Sequence, residues 1–356
     1  MAEICLGLVV VGITLYALLG GADFGGGFWD LTAGGDARGG RIRGMVQRSM
    51  SPVWEANHVW LIFVLVMVWT AFPVVFGSVA STLSIPLFLA AIGIIFRGTA
   101  FALRGHAATI REARVLGATF ALSSVLVPFS FGATIGGVAS GRVPVGNAAG
   151  DLVDSWLNPT SVLIGVLGVL TGAYLSAVFL AGDSVRAGQP GLAREFRARA
   201  LGAGVVCGIV AVGGLLVIRS DSRFLYDGLT SGGGLAMIVL SALAGAVTLA
   251  LVGSERYGPA RLSAGAAVAA VTAGWVIAQS PYVLPPRLTL DQAAADDATL
   301  TTLVIGMGIG ALVLVPSLWW LYRLVLQGRL DQAFEPLDQR FRPLEAGDEP
   351  EPGSRP

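Results

Sequence analysis

SPVWEANHVWL, residues 51–61, is where a basic loop enters an apolar helix. Pro52 suits the first turn of a helix, where its missing N–H is no loss. From Val59 the chain runs apolar to Phe76, long enough to cross a bilayer. Yet the first two turns carry Glu55, Asn57 and His58, bracketed by Trp54 and Trp60. Glu55 and His58 stand three residues apart, so they lie on roughly one helix face. A charge at mid-membrane costs about 2.5–3.5 kcal/mol on insertion scales, and less near the interface. A carboxylate and an imidazole at this depth need a reason.

Composition sets the class around this stretch. Apolar residues make up 54% of the 356 and charged residues only 13%, against about 25% charged in a soluble domain. The chain reads as an all-α polytopic membrane protein. All 23 cations are arginine, which excludes a Walker A loop, a Schiff-base lysine and a lysine general base. With two histidines, His58 and His106, a three-histidine metal site is excluded as well. Cys5 and Cys207 both fall in apolar spans, so no disulfide framework is implied.

Nine apolar spans follow in order, at about 4–28, 53–76, 79–104, 115–138, 160–182, 200–218, 232–253, 261–280 and 301–326. The first opens with Glu3 and is followed by no small-residue cleavage site, so it is expected to stay as a span. The tail 327–356, rich in Pro, Glu, Asp and Arg, is expected to be disordered. The odd-numbered loops and the tail hold 18 arginines, and the other side holds only Arg142, Arg219, Arg223 and Arg287. The positive-inside rule then puts the N-terminus outside and the C-terminus in the cytoplasm.

This topology makes a geometric prediction. Asp23 lies about 30 Å along span one, at 1.5 Å per residue, near the cytoplasmic face. Glu55 and His58 open span two at that face, and Arg97 in span three descends to a similar depth. Four ionisable residues from three spans are expected at one level. Plain readings stand beside the functional one. Asp23 and Arg97 could form a structural ion pair, or Arg97 could snorkel to lipid phosphates. Glu55 could serve the helix dipole, and His58 could be a satisfied interfacial histidine. The glycines of GGADFGGG read as close helix packing around Gly21-x-x-x-Gly25, not as a phosphate loop. His58 and His106 as paired haem ligands are disfavoured, because His106 follows Arg104 into a loop. The functional reading is a proton entry route, although the chain shows no redox centre for it to feed.

Five segments carry a resemblance: GADFGGGFWDL (21–31), SPVWEANHVWL (51–61), AFPVVF (71–76), FRGTAFALRG (96–105) and QSPYVLPPRLTL (279–290). In this order they resemble subunit II of cytochrome bd-type terminal oxidases, densely over residues 20–105, thinly to 278, and again over 279–326. The resemblance implies two four-helix bundles plus one extra span: a first bundle in 1–138, a second in 160–280, and a ninth span at 301–326. It implies that this chain carries no haem. A haem-bearing subunit I would hold haems b and d and the quinol site, in a heterodimer that oxidises quinol and reduces oxygen with cytoplasmic protons. A structural quinone or a lipid could bind as well, and the setting would be a bacterial plasma membrane.

Carried over residue by residue, Glu55 matches the family's channel aspartate, with His58 and Asn57 beside it on the expected proton path. Asp23 and Arg97 match polar residues at the subunit interface that support the haem region, and Trp54, Asn57 and Trp60 match motif positions. The departures are local: glutamate stands for the usual aspartate, Ala56 for a glycine, and His58 for a common glutamine. Two other classes remain open on sequence. One is a proton-coupled secondary transporter, suggested by the likeness of YALLGGADF (16–24) to LSAVFLAGD (175–183). The other is a structural membrane subunit with no proton path.

Overall fold

A computed structural model describes residues 1–50, 54–104, 107 and 109–327. Among them nine helices are long and apolar enough to cross a membrane: Ala2–Leu31, Trp54–Ala71, Ser84–Arg104, Arg111–Ala139, Pro159–Arg186, Pro190–Asp221, Gly232–Gly253, Tyr257–Gln279 and Asp297–Leu324. These are spans one to nine. Pro52, His106 and the tail 328–356 lie outside the described residues, so the expectations placed on them have no structural counterpart here.

The nine expected spans all appear, with two differences at the second and third. The apolar run expected to cross as one piece to Phe76 breaks at Phe72 (φ −136°, ψ 61°), and a separate helix runs Pro73–Thr82. Pro73 is the cause: it disfavours helical geometry in the residue before it and suits the first position of a new helix. Span three consequently starts at Ser84 instead of residue 79. The basic loop before span two is also not irregular. It forms a helix, Asp36–Met50, which buries Ile42, Met45, Val46 and Met50. That spacing gives one apolar stripe, while Arg41 stays exposed.

Span one is central. Its second half packs against spans four and five, its first half against span two, and spans four and five pack on each other. The close approach has a sequence cause, since a methyl group at Gly25 would overlap the carbonyl oxygen of Gly172 in span five. Two facing glycines thus let backbone meet backbone, as small-residue faces do in membranes. The indole of Trp29 seals the contact by donating to the carbonyl oxygen of Ala173 at 2.9 Å.

The opposite end of the bundle from the arginine-rich loops is tied by polar contacts. Arg142 forks onto Asp221 at 2.7 and 3.1 Å, and Asp221 also accepts from the hydroxyl and amide of Thr160. Between spans eight and nine, QSPYVLPPRLTL folds into a small antiparallel hairpin pairing Tyr282–Leu284 with Leu288–Thr289. Leu284 and Leu288 are buried there beside Phe72, Leu83 and Val143. Spans six, seven and nine keep broad apolar faces outward, among them Ile209, Val212, Leu243, Ile309 and Leu312.

Candidate functional site

Span one contains a π turn, Tyr16–Gly20, between its two α-helical halves. Such a turn inserts one residue and so re-aims the side chains before it by about 100° relative to those after it. Asp23 follows one turn later and is buried against Arg97 of span three, Oδ1 to Nη2 at 2.9 Å. The two side chains are 3% and 1% exposed. Arg97 Nε donates to Ser124 Oγ at 3.0 Å and Nη2 to the backbone oxygen of Asp23 at 3.3 Å. Its guanidinium lies between the rings of Phe24 and Phe120, 4.8 and 5.0 Å from their centroids. The arginine is therefore held on every side. Asp23 is not: the ion pair is close, but neither carboxylate oxygen receives an aligned hydrogen bond among the described residues.

A second rung repeats the first. Asp30 stands seven residues after Asp23, and Arg104 seven after Arg97. Asp30 Oδ2 meets Arg104 Nη1 at 2.5 Å and Asp30 Oδ1 meets Arg43 Nε at 3.1 Å, with Asp30 and Arg104 both buried. Seven residues is nearly two helical turns, so one face of span one meets one face of span three through two ion pairs. Arg43 adds the loop helix to this junction.

From span two, Asn57 and His58 turn toward the same region. Asn57 is buried and both ends of its amide are engaged. Nδ2 donates to Leu19 O in the π turn at 3.3 Å, and Oδ1 accepts from the hydroxyl of Tyr322, in span nine, at 3.2 Å. The ring of His58 lies 6.1 Å from those of Tyr16 and Phe24, and its Nδ1 is buried without a hydrogen-bond partner among the described residues. Trp54 packs on Phe101 with centroids 5.4 Å apart, and Trp60 leans on Phe63 at 6.1 Å.

Of the residues singled out in the sequence, Asp23, Arg97, Asn57 and His58 come together, while Trp54 and Trp60 pack at the flanks. Glu55 is exposed. The three-residue spacing puts Glu55 and His58 on neighbouring flanks of the helix, with the imidazole turned inward and the carboxylate outward. Sequence reading missed Asp30, Arg104, Arg43, Tyr16 and Tyr322. The matched seven-residue spacings of Asp23/Asp30 and Arg97/Arg104 were the available signal for the second rung. Nothing local signals Tyr322, which is 265 residues from Asn57. Among the described residues no group of three or more His, Cys, Asp or Glu is placed to hold a metal ion.

A family model described as cytochrome bd terminal oxidase subunit II matches residues 1–325. The chain belongs to that family. It is 23% identical over 347 residues to a putative cytochrome bd menaquinol oxidase subunit II of Bacillus subtilis, covering 92% of this chain and 96% of that one. Its fold superposes on a chain of the bd oxidase from Geobacillus thermodenitrificans with a TM-score of 0.75 at 25% identity. That alignment covers 91% of this chain and 98% of the other. This protein is thus a multi-pass subunit of a bd-type oxidase, and the transporter reading is set aside, since one family accounts for the membrane domain from end to end.

Proposed function

We propose that the chain is the haem-free subunit of a heterodimeric quinol:oxygen oxidoreductase and brings cytoplasmic protons toward its partner's haems. The partner, subunit I, would hold haems b and d and the quinol site, and this chain would provide scaffold and inlet. When bound there, the haems supply the electron transfer and oxygen chemistry. This chain's residues hold and move protons and brace the interface. The N-terminus would then lie outside and the C-terminus in the cytoplasm of a bacterial plasma membrane, in line with the arginine distribution.

One observation carries the reading. An exposed carboxylate, Glu55, opens the helix whose next turn lays the His58 ring 6.1 Å from that of Phe24, the residue after the buried Asp23 that pairs with Arg97. Ionisable groups inside a membrane domain are costly and tend to mark proton or ion routes. A surface carboxylate leading to interior orphaned polar atoms is the arrangement a proton relay requires. Glu55 would gather protons at the mouth and His58 would carry them inward. Asn57, whose amide does not titrate, would position the helix. Asp23 and Arg97 would brace the wall that faces the haem region, with Trp54 and Trp60 packing beside them.

The test uses the complex purified with its partner. Glu55→Gln keeps the shape and removes the exchangeable charge, so haem content should hold while oxygen reduction slows. Glu55→Asp should keep most activity. Loss of haem in Glu55→Gln, or parental turnover across pH 6 to 9, would contradict the inlet.

A further inference from the structure

Among the described residues Tyr16 Oη and His58 Nδ1 are buried without hydrogen-bond partners, and neither Asp23 carboxylate oxygen receives an aligned hydrogen bond, although Oδ1 is ion-paired with Arg97. Native interiors leave few such groups unpaired, and leaving one costs about 1–3 kcal/mol. The three side chains lie in ring contact or electrostatic reach of one another. The Tyr16 ring lies 6.1 Å from His58 and 6.4 Å from Phe24, the neighbour of Asp23. Asp23 and Arg97 act electrostatically on both Tyr16 and His58.

The backbone is specialised to put Tyr16 there. Tyr16 opens the π turn, and π turns inside helices gather at functional positions. The turn ends on Gly20, where a methyl group would sit 3.0 Å from Tyr16 Cε2, so the ring lies over a residue with no side chain. Asn57 then holds the turn from span two through the Leu19 carbonyl. The residue beside His58 therefore fixes the turn that aims Tyr16. Tyr322, which meets span two from span nine, differs in having its hydroxyl committed to Asn57.

We infer that Tyr16 is a further station of the inlet, between His58 and the Asp23–Arg97 pair; the inference rests on the proton-route reading above. Imidazolium His58 gives its Nδ1 proton to the phenol oxygen through a buried bridging water, because the two atoms share no direct hydrogen bond. The phenol O–H proton leaves inward by the same means, past an Asp23 carboxylate that stays ionised against Arg97. Tyrosine ends neutral as it began, one proton has moved inward, and no electron is exchanged. Arg97, held by Ser124 and two rings, keeps the carboxylate ionised and in place beside the route.

Tyr16→Phe keeps the ring and removes the hydroxyl. In the purified complex it should leave haem content and subunit stoichiometry unchanged, slow oxygen consumption roughly three- to tenfold, and raise the solvent deuterium isotope effect on turnover. Glu55→Gln is measured in parallel. A slow Glu55→Gln beside a Tyr16→Phe with parental rate and isotope effect would overturn this inference and leave the inlet standing. Parental rates in both would overturn the inlet as well. Loss of haem or of the partner subunit in Tyr16→Phe would make the residue structural and likewise overturn it.

Discussion

Two of the aspartate–arginine pairs that join distant helices, one from each half of the chain, differ in their surroundings. Asp23 and Arg97 link spans one and three in a dry interior, at 3% and 1% side-chain exposure. Asp183 and Arg261 link spans five and eight, but at 20% and 23%, and Asp183 also holds Arg186. Each arginine faces a phenylalanine from its aspartate's helix, Arg97 over Phe24 and Arg261 over Phe179. The aspartates even sit in similar stretches, YALLGGAD (16–23) and SAVFLAGD (176–183). Similar local chemistry has been set in two dielectric environments. In the second half water and Arg186 share the load, and the pair ties a helix end. In the first half the pair is sealed and lies next to the orphaned atoms of His58 and Tyr16, where an unbalanced charge cannot be tolerated and a mobile proton can be useful.

The comparison can be broken most easily at its buried end. Removing one partner of a buried pair leaves the other uncompensated, at a cost of about 3–5 kcal/mol. Arg97→Ala, and Asp23→Asn less severely, should therefore lower assembly or haem content of the complex, read from co-purification and the haem spectrum. Normal assembly in both would show that this pair is no brace. Asp30→Ala comes next, at about 3 kcal/mol, because buried Arg104 loses its partner while half-exposed Arg43 can turn to water. A lowered melting temperature of the complex would register it.

Tyr322→Phe should cost about 1 kcal/mol, the net worth of one hydrogen bond, and loosen span nine at its Asn57 contact. Faster hydrogen exchange in that end of span nine would sharpen the role of Asn57 as a clamp. Asp183→Asn should do least, about 0–1 kcal/mol after solvent screening. A loss there as large as at Asp23 would erase the contrast between the two halves.

Hydropathy made the nine spans legible, because each long apolar run needs a bilayer and a helix satisfies its own backbone. It failed where a proline cut a continuous run, at Phe72–Pro73, since apolar character alone does not register a break. The loop helix Asp36–Met50 was hidden by its arginines, which masked the stripe of Ile42, Met45, Val46 and Met50. Asp23 with Arg97 was legible because helix rise fixes depth, and depth brought the two to one level. Direction around the helix was less so: the three-residue spacing of Glu55 and His58 did not reveal that one faces out and the other in. The π turn left no trace in the sequence, so Tyr16 went unseen. Tyr322 required the packing of span nine, which no local pattern encodes.

The central claim is that Glu55 opens a proton route past His58 to the dry pair, and it is tested most directly in the Glu55→Gln complex. The measurement is oxygen consumption per haem from pH 6 to 9, beside the parental complex. The account predicts full haem content with turnover lowered on the order of tenfold, about 1.4 kcal/mol in the barrier, and recovery in Glu55→Asp. Turnover per haem equal to the parent at every pH would contradict it.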